Sequence, residues 1–380
     1  MEVTISKQCM ASALSRTSTI ADRKSSMQIL SNVLISSEGP KQLRFATTDL
    51  NMSAAGILPA QIVSGGSITL PAKTLYDIVR TLPDGPICLK ADGDFIEITS
   101  GRSVFKLIGL PAEDFPKLPD ASGIEFFDID SQMLTKMIER TSFSISSDET
   151  RPHINGALFQ GDGKILRMVT TDGHRLSMVE FKTDESGFYN YTMVVPNKGI
   201  GEIRRLIDEG SGPIAVCSHD GSIFLRREIE VEKGIDGDPP QTAEFVLVCK
   251  LIDTEFPPYD QVIPKGQDKR VIMPRVALLE ALKRVSVVSS ERTLGVKFSL
   301  SEGSLEISTD NPSVGEGSEI IDVGYDGDEL VIGFNARYYI DVLNVLDESE
   351  VVLELSGDLD PAVIRDTSDS YVGVIMPMRI

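Results

Sequence analysis

The spacing of apolar residues along the chain predicts a helical segment that recurs near residues 2–18, 128–142 and 270–286. In each segment the apolar residues are three or four positions apart, as on the buried face of a helix. A short strand precedes the first helix, and Ser131 is expected to cap the second. The predicted buried positions are Met10, Ala13 and Leu14 in the first segment, Met133, Leu134, Met137 and Ile138 in the second, and Val276, Leu279 and Leu282 in the third.

A second helical pattern also occurs three times, and two strands with alternating apolar residues follow each copy. Its apolar positions are Leu75, Ile78, Val79 and Leu82, then Ile200, Ile203, Leu206 and Ile207, then Tyr339, Val342, Leu343 and Leu346, with Asn335 as the N-cap of the third. Two helices and several antiparallel strands per copy predict three similar α+β domains. Proline-rich stretches at 114–123 and 255–269 separate the copies, so we predict domains over 1–121, 122–250 and 251–380.

The dipeptide Thr-Asp follows a predicted strand in every copy, at residues 48–49, 171–172 and 309–310. An aspartate that recurs at one position of a repeat is most simply a turn former, whose carboxylate accepts hydrogen bonds from nearby backbone N–H groups. The Gly-His-Arg-Leu that follows Asp172 has no counterpart in the other copies. Two interpretations remain for Asp172, His174 and Arg175: the acid–base site of a hydrolase, or a turn in a binding surface.

Composition narrows the classes of function that remain. The 380 residues include 57 acidic and 37 basic side chains, and the net charge of −20 disfavours tight binding of nucleic acid through a broad basic face. Four scattered cysteines indicate reduced thiols and neither disulfides nor a zinc site. Because no apolar run is long enough for a membrane span and no signal peptide is visible, we expect a cytoplasmic protein that does not bind membranes.

The sequence contains no GxSxG, GxxxxGK[ST] or GxGxxG motif, and its three histidines lack metal-ligand spacing. We therefore expect no catalytic residues, no metal, no cofactor and no enzymatic activity. Bases recur instead on the polar sides of the predicted helices, Arg284 and Arg337 among them. Such bases suit contact with a phosphate backbone that does not read the base sequence.

Several stretches, in order along the whole chain, resemble the β subunit of bacterial DNA polymerase III, the sliding clamp family. They are "ILSNVLI", "LPAKTLYDIVRTLPDG", "SGRSVFKLIGLPAEDFP", "INGALF", "TTDGHRLSMVE", "EFPPYDQVIP", "IGFNARYYIDVLNVL" and "VIMPMRI". The resemblance implies a head-to-tail homodimer whose six domains close a ring around double-stranded DNA and tether the replicative polymerase. The bases expected to face DNA are Lys24, Lys73, Arg80, Lys136, Arg140, Arg151, Lys198, Arg204, Arg205 and Lys283.

The resemblance also implies a hydrophobic groove that receives short linear motifs of polymerases, the clamp loader, and mismatch-repair or ligase proteins. Its wall is expected to include Ile154, Thr171, Gly173, His174, Arg175, Leu176, Pro257, Val262, Val374, Ile375, Met376, Pro377, Met378 and Arg379. Methionines adapt to varied ligand side chains, and one buried anchor concentrates binding energy. In this interpretation His174 and Arg175 are rim and turn residues and have no catalytic role.

The family's dimer interface joins the first domain of one subunit to the third domain of the other. The matching positions are Phe105 and Leu107 on one side and Val287 and Val288 on the other. Arg102 and Lys106 are expected to face acids such as Glu316 and Glu319. A head-to-tail contact of this kind closes into a ring when the rotation per subunit permits.

The chain departs from the family pattern at three places. It ends in Ile380 where leucine is usual, it has Pro152 and His153 where some relatives have aromatic residues, and residues 229–243 form an added acidic loop. The main alternative to a clamp is a protein-binding scaffold that does not encircle DNA. A hydrolase would lose its activity when His174 is replaced by alanine, whereas a clamp would lose partner binding.

Overall fold

The structure is a computed structural model, and it describes residues 1–92, 95–120, 123–182, 191–208, 212–231, 241–290 and 292–379. Within these ranges the elements follow one order three times: a strand, a helix, four strands, a second helix and three strands. The first copy has one additional strand before its second helix. This order confirms the predicted threefold repeat of an α+β unit. Residues 232–240 of the predicted acidic loop, and Ile380, lie outside the described residues.

Helices and strands are numbered in chain order. The helices are α1 (Lys7–Thr17), α2 (Ala72–Thr81), α3 (Ser131–Thr141), α4 (Asn197–Asp208), α5 (Arg275–Ser286) and α6 (Ala336–Val345). The strands of the first copy are β1 (Glu2–Ser6), β2 (Asn32–Glu38), β3 (Gln42–Thr48), β4 (Met52–Pro59), β5 (Gln61–Ser64), β6 (Ser67–Pro71), β7 (Pro86–Asp92), β8 (Phe95–Ser100) and β9 (Ser103–Ile108). Those of the second are β10 (Phe127–Ile129), β11 (Gly156–Gly161), β12 (Ile165–Thr171), β13 (Arg175–Lys182), β14 (Thr192–Pro196), β15 (Ile214–His219), β16 (Ser222–Val231) and β17 (Gln241–Lys250). Those of the third are β18 (Lys269–Pro274), β19 (Gly295–Ser301), β20 (Ser304–Asn311), β21 (Gly315–Asp322), β22 (Leu330–Asn335), β23 (Glu350–Leu355), β24 (Ala362–Arg365) and β25 (Tyr371–Ile375).

Side chains cap the starts of α1 and α6, and the second of these caps, Asn335, was predicted. The Ser6 hydroxyl accepts a hydrogen bond from the Cys9 backbone N–H at 3.2 Å, and the Asn335 side chain accepts one from the Arg337 N–H at 2.9 Å. These bonds satisfy N–H groups that have no partner inside the helix. The predicted cap at Ser131 is not found, because Ser131 is already the first residue of α3.

One predicted core position of α5 is wrong. Val276 is 54% exposed, while Leu278, Leu279 and Leu282 are buried. Six residues span about one and two-thirds helical turns, so Val276 and Leu282 point roughly 120° apart. Two successive steps of three residues, from Val276 to Leu279 to Leu282, therefore drift off the buried face of the helix. One step of four residues, from Leu278 to Leu282, stays on that face.

The described chain divides into two compact units, Met1–Gln132 with Gly201–Leu251 and Met133–Ile200 with Ile252–Ile380. Unit 1 contains a five-stranded sheet in the order β5-β1-β7-β8-β9 and an eight-stranded sheet in the order β10-β15-β16-β17-β4-β3-β2-β6. All pairings within these sheets are antiparallel. Helix α1 packs against β4 and against α2.

Unit 2 contains an eight-stranded sheet in the order β14-β11-β12-β13-β25-β24-β23-β18 and a four-stranded sheet in the order β21-β20-β19-β22. Helices α5 and α6 pack against each other. Their apolar residues form one core with both sheets, and Phe298, Phe334 and Tyr339 meet there with ring centroids 5.1 to 5.3 Å apart. A second apolar cluster, around Leu176 and Val374, includes Tyr259 of the segment that follows β17.

The two compact units do not coincide with the three predicted domains. Strand β17 pairs with β4 of the first copy, from Glu244 opposite Ile57 to Cys249 opposite Met52. Strand β13 pairs with β25 of the third copy. The middle copy thus contributes strands to both units, because each of its sheets is completed by hydrogen bonds to a neighbouring copy. The boundaries at 121 and 250 stay a prediction.

Candidate functional site

The turn between β12 and β13 is held by the carboxylate of Asp172. Its Oδ1 accepts hydrogen bonds from the backbone N–H groups of His174 at 2.9 Å and Arg175 at 3.0 Å. The Thr171 hydroxyl accepts from the Gly173 N–H at 3.1 Å and donates to the Arg175 carbonyl at 2.7 Å. Gly173 has a φ of +90°, a conformation that favours glycine. The prediction that Asp172 is a turn former is therefore confirmed.

The same turn recurs after β3 and is altered in the third copy. Asp49 accepts hydrogen bonds from the N–H groups of Asn51 at 3.0 Å and Met52 at 2.6 Å. In the third copy the prediction is wrong, because Asp310 lies inside β20 and pairs with Glu316 of β21. The next residue, Asn311, takes the turn role and accepts from the Ser313 N–H at 3.1 Å.

The apolar part of the candidate groove lies on one face of the β13–β25 pair. Leu176 and Val374 stand opposite each other in the ladder, and both are buried in the cluster that contains Tyr259. The Tyr259 hydroxyl donates to the Gln160 side chain at 2.7 Å and accepts from Arg167 at 3.0 Å. Burial raises the pKa of this hydroxyl, so it stays protonated as a donor. These bonds hold the segment after β17 over the sheet.

The chain after β25 is attached beside the turn. The Met376 N–H donates to the His174 carbonyl at 3.0 Å, and the Met378 N–H donates to the Gly333 carbonyl at 2.8 Å. Met376 and Val262 are each 38% exposed, so apolar surface is available next to the buried residues. Other predicted wall residues differ in exposure: Ile154 is buried, Thr171, Pro257, Pro377 and Met378 are half-buried, and Gly173, His174 and Arg379 are exposed.

Arg175 and Ile375 lie on the opposite face of this strand pair. They are directly opposite each other in the ladder, one residue from Leu176 and Val374, and successive strand residues point to opposite faces. Ile375 belongs to the core formed with α5 and α6. The Arg175 side chain is 9% exposed and donates to the Asp341 carboxylate at 2.7 Å. The expectation that Arg175 is a rim residue of the groove stays a prediction.

Sequence reasoning missed the partners of Arg175. Its guanidinium also donates to the Phe143 carbonyl at 2.6 Å and stacks on the Tyr338 ring at 4.6 Å. Asp341 and Tyr338 are on α6, far from Arg175 in the sequence, and their spacing shows only an ordinary helix surface. No local signal points to this contact.

Most of the predicted DNA-facing bases are exposed, but Arg140 is not. Its side chain is 7% exposed and its guanidinium pairs with Asp366 at 3.2 Å and Glu348 at 3.3 Å. The prediction of an exposed Arg140 is wrong because these acids, from distant parts of the third copy, cover it. The exposed bases are Lys24, Lys73, Arg80, Lys136, Lys198, Arg204, Arg205 and Lys283, and Arg151 is partly exposed.

Arg151 lies beside the turn of the candidate groove. A β-carbon placed on Gly173 would be 3.4 Å from Nη1 of Arg151, and Asp148 pairs with the same guanidinium at 2.9 Å. Some of the exposed bases are likewise paired with acids on their own helix, such as Lys73 with Asp77 at 3.2 Å and Lys283 with Glu280 at 2.9 Å. Surface pairs of this kind contribute little to stability.

Unit 1 contains a five-stranded sheet and unit 2 a four-stranded sheet. Among the described strands, each of these sheets has a free edge. In unit 1, β9 pairs only with β8, and Val104 and Ile108 on it are 57% and 64% exposed. In unit 2, β21 pairs only with β20, and Ile320 is 66% exposed. Of the predicted interface residues, Arg102, Lys106 and Val287 are exposed, and Phe105, Leu107 and Val288 are half-buried.

Two of the charges expected to meet across the interface have partners within the chain. Lys106 pairs with Glu97 at 3.5 Å on the adjacent strand. Glu319 accepts two hydrogen bonds from Arg284, at 2.5 and 2.8 Å, and this pairing lowers the pKa of the Glu319 carboxyl. Interface pairs to these two groups would replace existing bonds, whereas Arg102 and Glu316 have no ion pair among the described residues.

Two features of the described residues bear on other classes of function. No group of three or more histidine, cysteine, aspartate or glutamate side chains is arranged to hold a metal ion. No helix in the described part of the chain is long and apolar enough to cross a membrane.

Comparison with known proteins gives full-length matches. Three family models match in order: the DNA polymerase III beta subunit N-terminal domain at residues 1–119, its central domain at 128–258 and its C-terminal domain at 260–379. The beta sliding clamps of Pseudomonas putida and Escherichia coli are each 34% identical to this chain, and the matches cover 100% of both proteins.

Solved structures agree with these matches. The DNA polymerase III subunit beta from Pseudomonas aeruginosa superposes with a TM-score of 0.91 and is 34% identical, with 100% of each chain covered. A sliding clamp from the same organism bound to griselimycin has a TM-score of 0.89 at 34% identity, also over 100% of each chain. The chain therefore belongs to the β-subunit family of DNA polymerase III, the bacterial sliding clamps, which are non-catalytic processivity subunits of that polymerase.

Proposed function

We propose that the chain acts as a head-to-tail homodimer that closes a ring around double-stranded DNA. The observation that carries this proposal is the pair of free sheet edges, β9 and β21, each with exposed apolar residues. An exposed apolar edge strand is a template for pairing with another chain, and proteins normally protect such edges. Pairing β9 of one subunit with β21 of the next protects both edges, and two such contacts close a ring.

Exposed bases supply the contacts to DNA in this proposal. Eight of the ten bases predicted from the sequence are exposed and Arg151 is partly so, while Arg140 leaves the set because it is buried. Contacts to phosphate carry no sequence information, which suits a protein that must slide along any sequence. A ring needs little affinity per contact, because its closure already prevents dissociation. The net charge of −20 is compatible with retention of this kind.

The groove around Leu176 and Val374 is proposed to dock partner proteins. The candidates are the replicative polymerase, the clamp loader, other polymerases, and mismatch-repair or ligase proteins. Support comes from the buried apolar floor, the exposed side chains of Met376 and Val262 beside it, and the likeness to a clamp that binds griselimycin. An apolar anchor in such a pocket provides most of the binding energy of a short peptide. Because the bacterial chromosome lies in the cytoplasm, we also propose that the protein is cytoplasmic.

Encirclement is tested by following the protein on circular DNA before and after one cut. The protein is loaded onto a nicked plasmid with a clamp loader complex and ATP, separated from free protein, and the plasmid is then linearised at one site. We expect the protein to remain on the circle and to be released from the linear form within minutes. A protein-binding scaffold that does not encircle DNA would be lost from both forms, and this result would refute the proposal.

The groove is tested with griselimycin as the probe. We expect Val262→Asp to weaken binding at least tenfold, because a carboxylate beside the apolar floor must be desolvated when the ligand enters. The matched control is Val63→Asp, which places the same charge on the 73% exposed Val63 of β5. Equal binding by both variants would show that the probe does not use this groove.

A further inference from the structure

A cleft lies in unit 1, on the face of the eight-stranded sheet that is opposite to α1. Phe245 of β17 faces α1, because the Arg16 guanidinium is 4.6 Å from its ring centroid, and the next residue, Val246, points to the other face. There Phe224, Val246 and Val248 form an apolar floor. The cleft has a volume of about 300 Å³, at the lower end of the range for ligand sites in proteins.

The repeat shows why this space is open. Strands β4 and β17 pair in unit 1 as β13 and β25 pair in unit 2. Counted from the aspartate of each turn, Ser53 has the position of Leu176, and Ala55 has the position of Met178. Two large apolar side chains of unit 2 therefore correspond to two small ones in unit 1. Ser53 and Ala55 both line the cleft, so the space that larger side chains would fill is left open.

Two arginines of this cleft have no charged partner among the described residues. Arg44 is on β3 and Arg226 is on β16, both are half-buried, and neither makes an ion pair or a side-chain hydrogen bond in the described part of the chain. The Arg226 guanidinium stacks on the Phe126 ring, 4.4 Å from the centroid, which orients it and leaves its N–H groups available as donors. A guanidinium in this setting favours a carboxylate or a phosphate. The cleft thus combines two anion-binding groups with an apolar floor.

The acids of the cleft decide which kind of anion fits. Glu244 of β17 and Asp120, in the chain between β9 and β10, also line it. They repel the closely spaced phosphates of a nucleic acid, and a phosphate backbone has no apolar group for the floor. A peptide has both an apolar side chain and separate carboxylates. Arg44 and Arg226 are three strand spacings apart, roughly 14 Å, which about four residues of extended chain span.

We propose that this cleft is a docking site for a short peptide segment of a partner protein, in which an aromatic or aliphatic residue stands between two carboxylates. The apolar side chain contacts Val246 and Val248, and the carboxylates accept hydrogen bonds from Arg44 and Arg226. The site is in unit 1, whereas the groove around Leu176 and Val374 is in unit 2. The inference therefore does not rest on the docking function of that groove, and one subunit can hold two segments at once.

The probe is the synthetic peptide acetyl-Glu-Ser-Phe-Ser-Glu-amide, whose carboxylates are four residues apart. Binding to the full chain is titrated by saturation-transfer difference NMR, with and without saturating griselimycin. We expect a dissociation constant below about 1 mM that griselimycin leaves unchanged. A peptide with glutamine in place of both glutamates, and one with serine in place of phenylalanine, should each bind at least about tenfold more weakly, because they lose the charge-assisted bonds or the apolar anchor.

Protein variants locate the bound peptide. Arg44→Met and Arg226→Met each remove one guanidinium and should weaken binding about tenfold. Ala55→Phe fills part of the cleft and should reduce binding below detection. The matched control is Arg270→Met, which removes an exposed arginine of β18 that has no ion pair among the described residues. This control should bind the peptide as the wild type does.

A combination of variants separates charge pairing from a loss of structure. Arg226→Met should bind the glutamine peptide as weakly as the wild-type protein does, because the carboxylate that the arginine meets is already gone. A variant with a damaged cleft would bind both peptides less well than the wild type. If Arg226→Met fails to fold because it loses its contact with Phe126, Arg44→Met carries the same comparison.

The outcomes that would overturn the inference are distinct from those that bear on the groove. No peptide binding at about 1 mM, or equal binding by the wild type and Ala55→Phe, would overturn it. Displacement of the peptide by griselimycin would assign the peptide to the groove and would also overturn it. Binding of a short oligothymidylate that Arg44→Met weakens, without binding of the peptide, would assign the cleft to nucleic acid instead. The groove itself is tested separately, by griselimycin and Val262→Asp.

Discussion

At the scale of single residues, two buried tyrosines of unit 2 differ in what their hydroxyl groups contact. Tyr339 is fully buried and its hydroxyl has no hydrogen-bond partner among the described residues. Tyr371 is equally buried, but its hydroxyl is 3.0 Å from the Ser177 hydroxyl. An unpaired buried hydroxyl costs free energy, whereas a paired one contributes to stability.

We expect Tyr339→Phe to leave the free energy of unfolding unchanged or to raise it by up to about 1 kcal/mol, and Tyr371→Phe to lower it by about 1 kcal/mol. Both replacements remove one hydroxyl from a tyrosine core position, so each is the control for the other. Urea unfolding followed by far-ultraviolet circular dichroism measures the difference. A larger loss in Tyr339→Phe than in Tyr371→Phe would contradict the assignment of the unpaired hydroxyl.

Arg140 and Asp366 form a buried ion pair in unit 2. The Asp366 side chain is fully buried, and it accepts hydrogen bonds from the Ser370 side chain and from the backbone N–H of Tyr371. We expect Arg140→Met to lower the free energy of unfolding by about 3 to 5 kcal/mol, because it leaves a buried charge without its partner. Lys136→Met, one turn earlier on α3 and exposed, should change it by less than about 0.5 kcal/mol. Thermal denaturation of the two variants tests this.

The same pair predicts a dependence on acid. Burial alone would raise the pKa of Asp366, but hydrogen bonds from Ser370, Tyr371 and Ser368 and the charge of Arg140 outweigh it and hold this pKa below its usual range. A lowered pKa in the folded state means that the unfolded state binds more protons. The contribution of Asp366 is therefore complete above its unfolded pKa of about 3.9 and is lost as the pH falls through the lower folded value. Asp366→Asn should flatten the fall in thermal midpoint between neutral pH and pH 3; an unchanged slope would contradict the assignment.

At the scale of elements, the helices and most strands could be predicted because each pattern occurs three times. Apolar spacing locates α2 and α4 correctly, and the cap at Asn335 follows from residue type alone. The errors at Val276 and Arg140 have different causes. At Val276 the apolar spacing drifts off the buried face of the helix, whereas at Arg140 a local pattern does not reveal which distant residues cover the side chain. Asp366 and Glu348 lie more than 200 residues beyond Arg140, and no local rule connects them.

The candidate groove was predictable only in part, for the same reason. Turn chemistry identifies Asp172, and strand alternation separates Leu176 from Arg175 once the strand is known. The pairing of β13 with β25, which brings Leu176 opposite Val374, is a long-range contact. The resemblance to the clamp family placed Leu176 and Val374 in one groove wall without predicting this pairing, and residue patterns alone would leave the C-terminal strand as an ordinary core strand.

The proposed interface between β9 and β21 leads to a prediction about assembly. Val287 follows α5 and is 79% exposed, the most exposed large apolar residue of the described chain. We expect Val287→Asp to weaken dimerisation at least tenfold, because a carboxylate in the interface must be desolvated without a partner. The control is Val331→Asp, since Val331 is 53% exposed on β22, the other edge of the same sheet. Sedimentation equilibrium measures both, and equal dimerisation would remove Val287 from the interface.

At the scale of the whole molecule, net charge and DNA retention have to be reconciled. A chain of net charge −20 gains little from a general attraction to DNA, and several of its exposed bases are already paired with acids. Retention through phosphate contacts alone would therefore be weak. Retention by a closed ring does not depend on the summed strength of these contacts. The two modes of retention should therefore respond differently to salt.

Salt dependence distinguishes the two modes of retention. For a protein held by six to ten phosphate contacts, raising the salt from about 50 to 200 mM lowers affinity by roughly 10³- to 10⁵-fold. A closed ring on circular DNA should instead keep its half-life within about tenfold over that range, because salt weakens the contacts and does not open the circle. The linear form of the same plasmid is the control and should lose the protein rapidly at every salt concentration. If the half-life on circular DNA instead falls steeply as the salt concentration rises, phosphate contacts and not topology retain the protein.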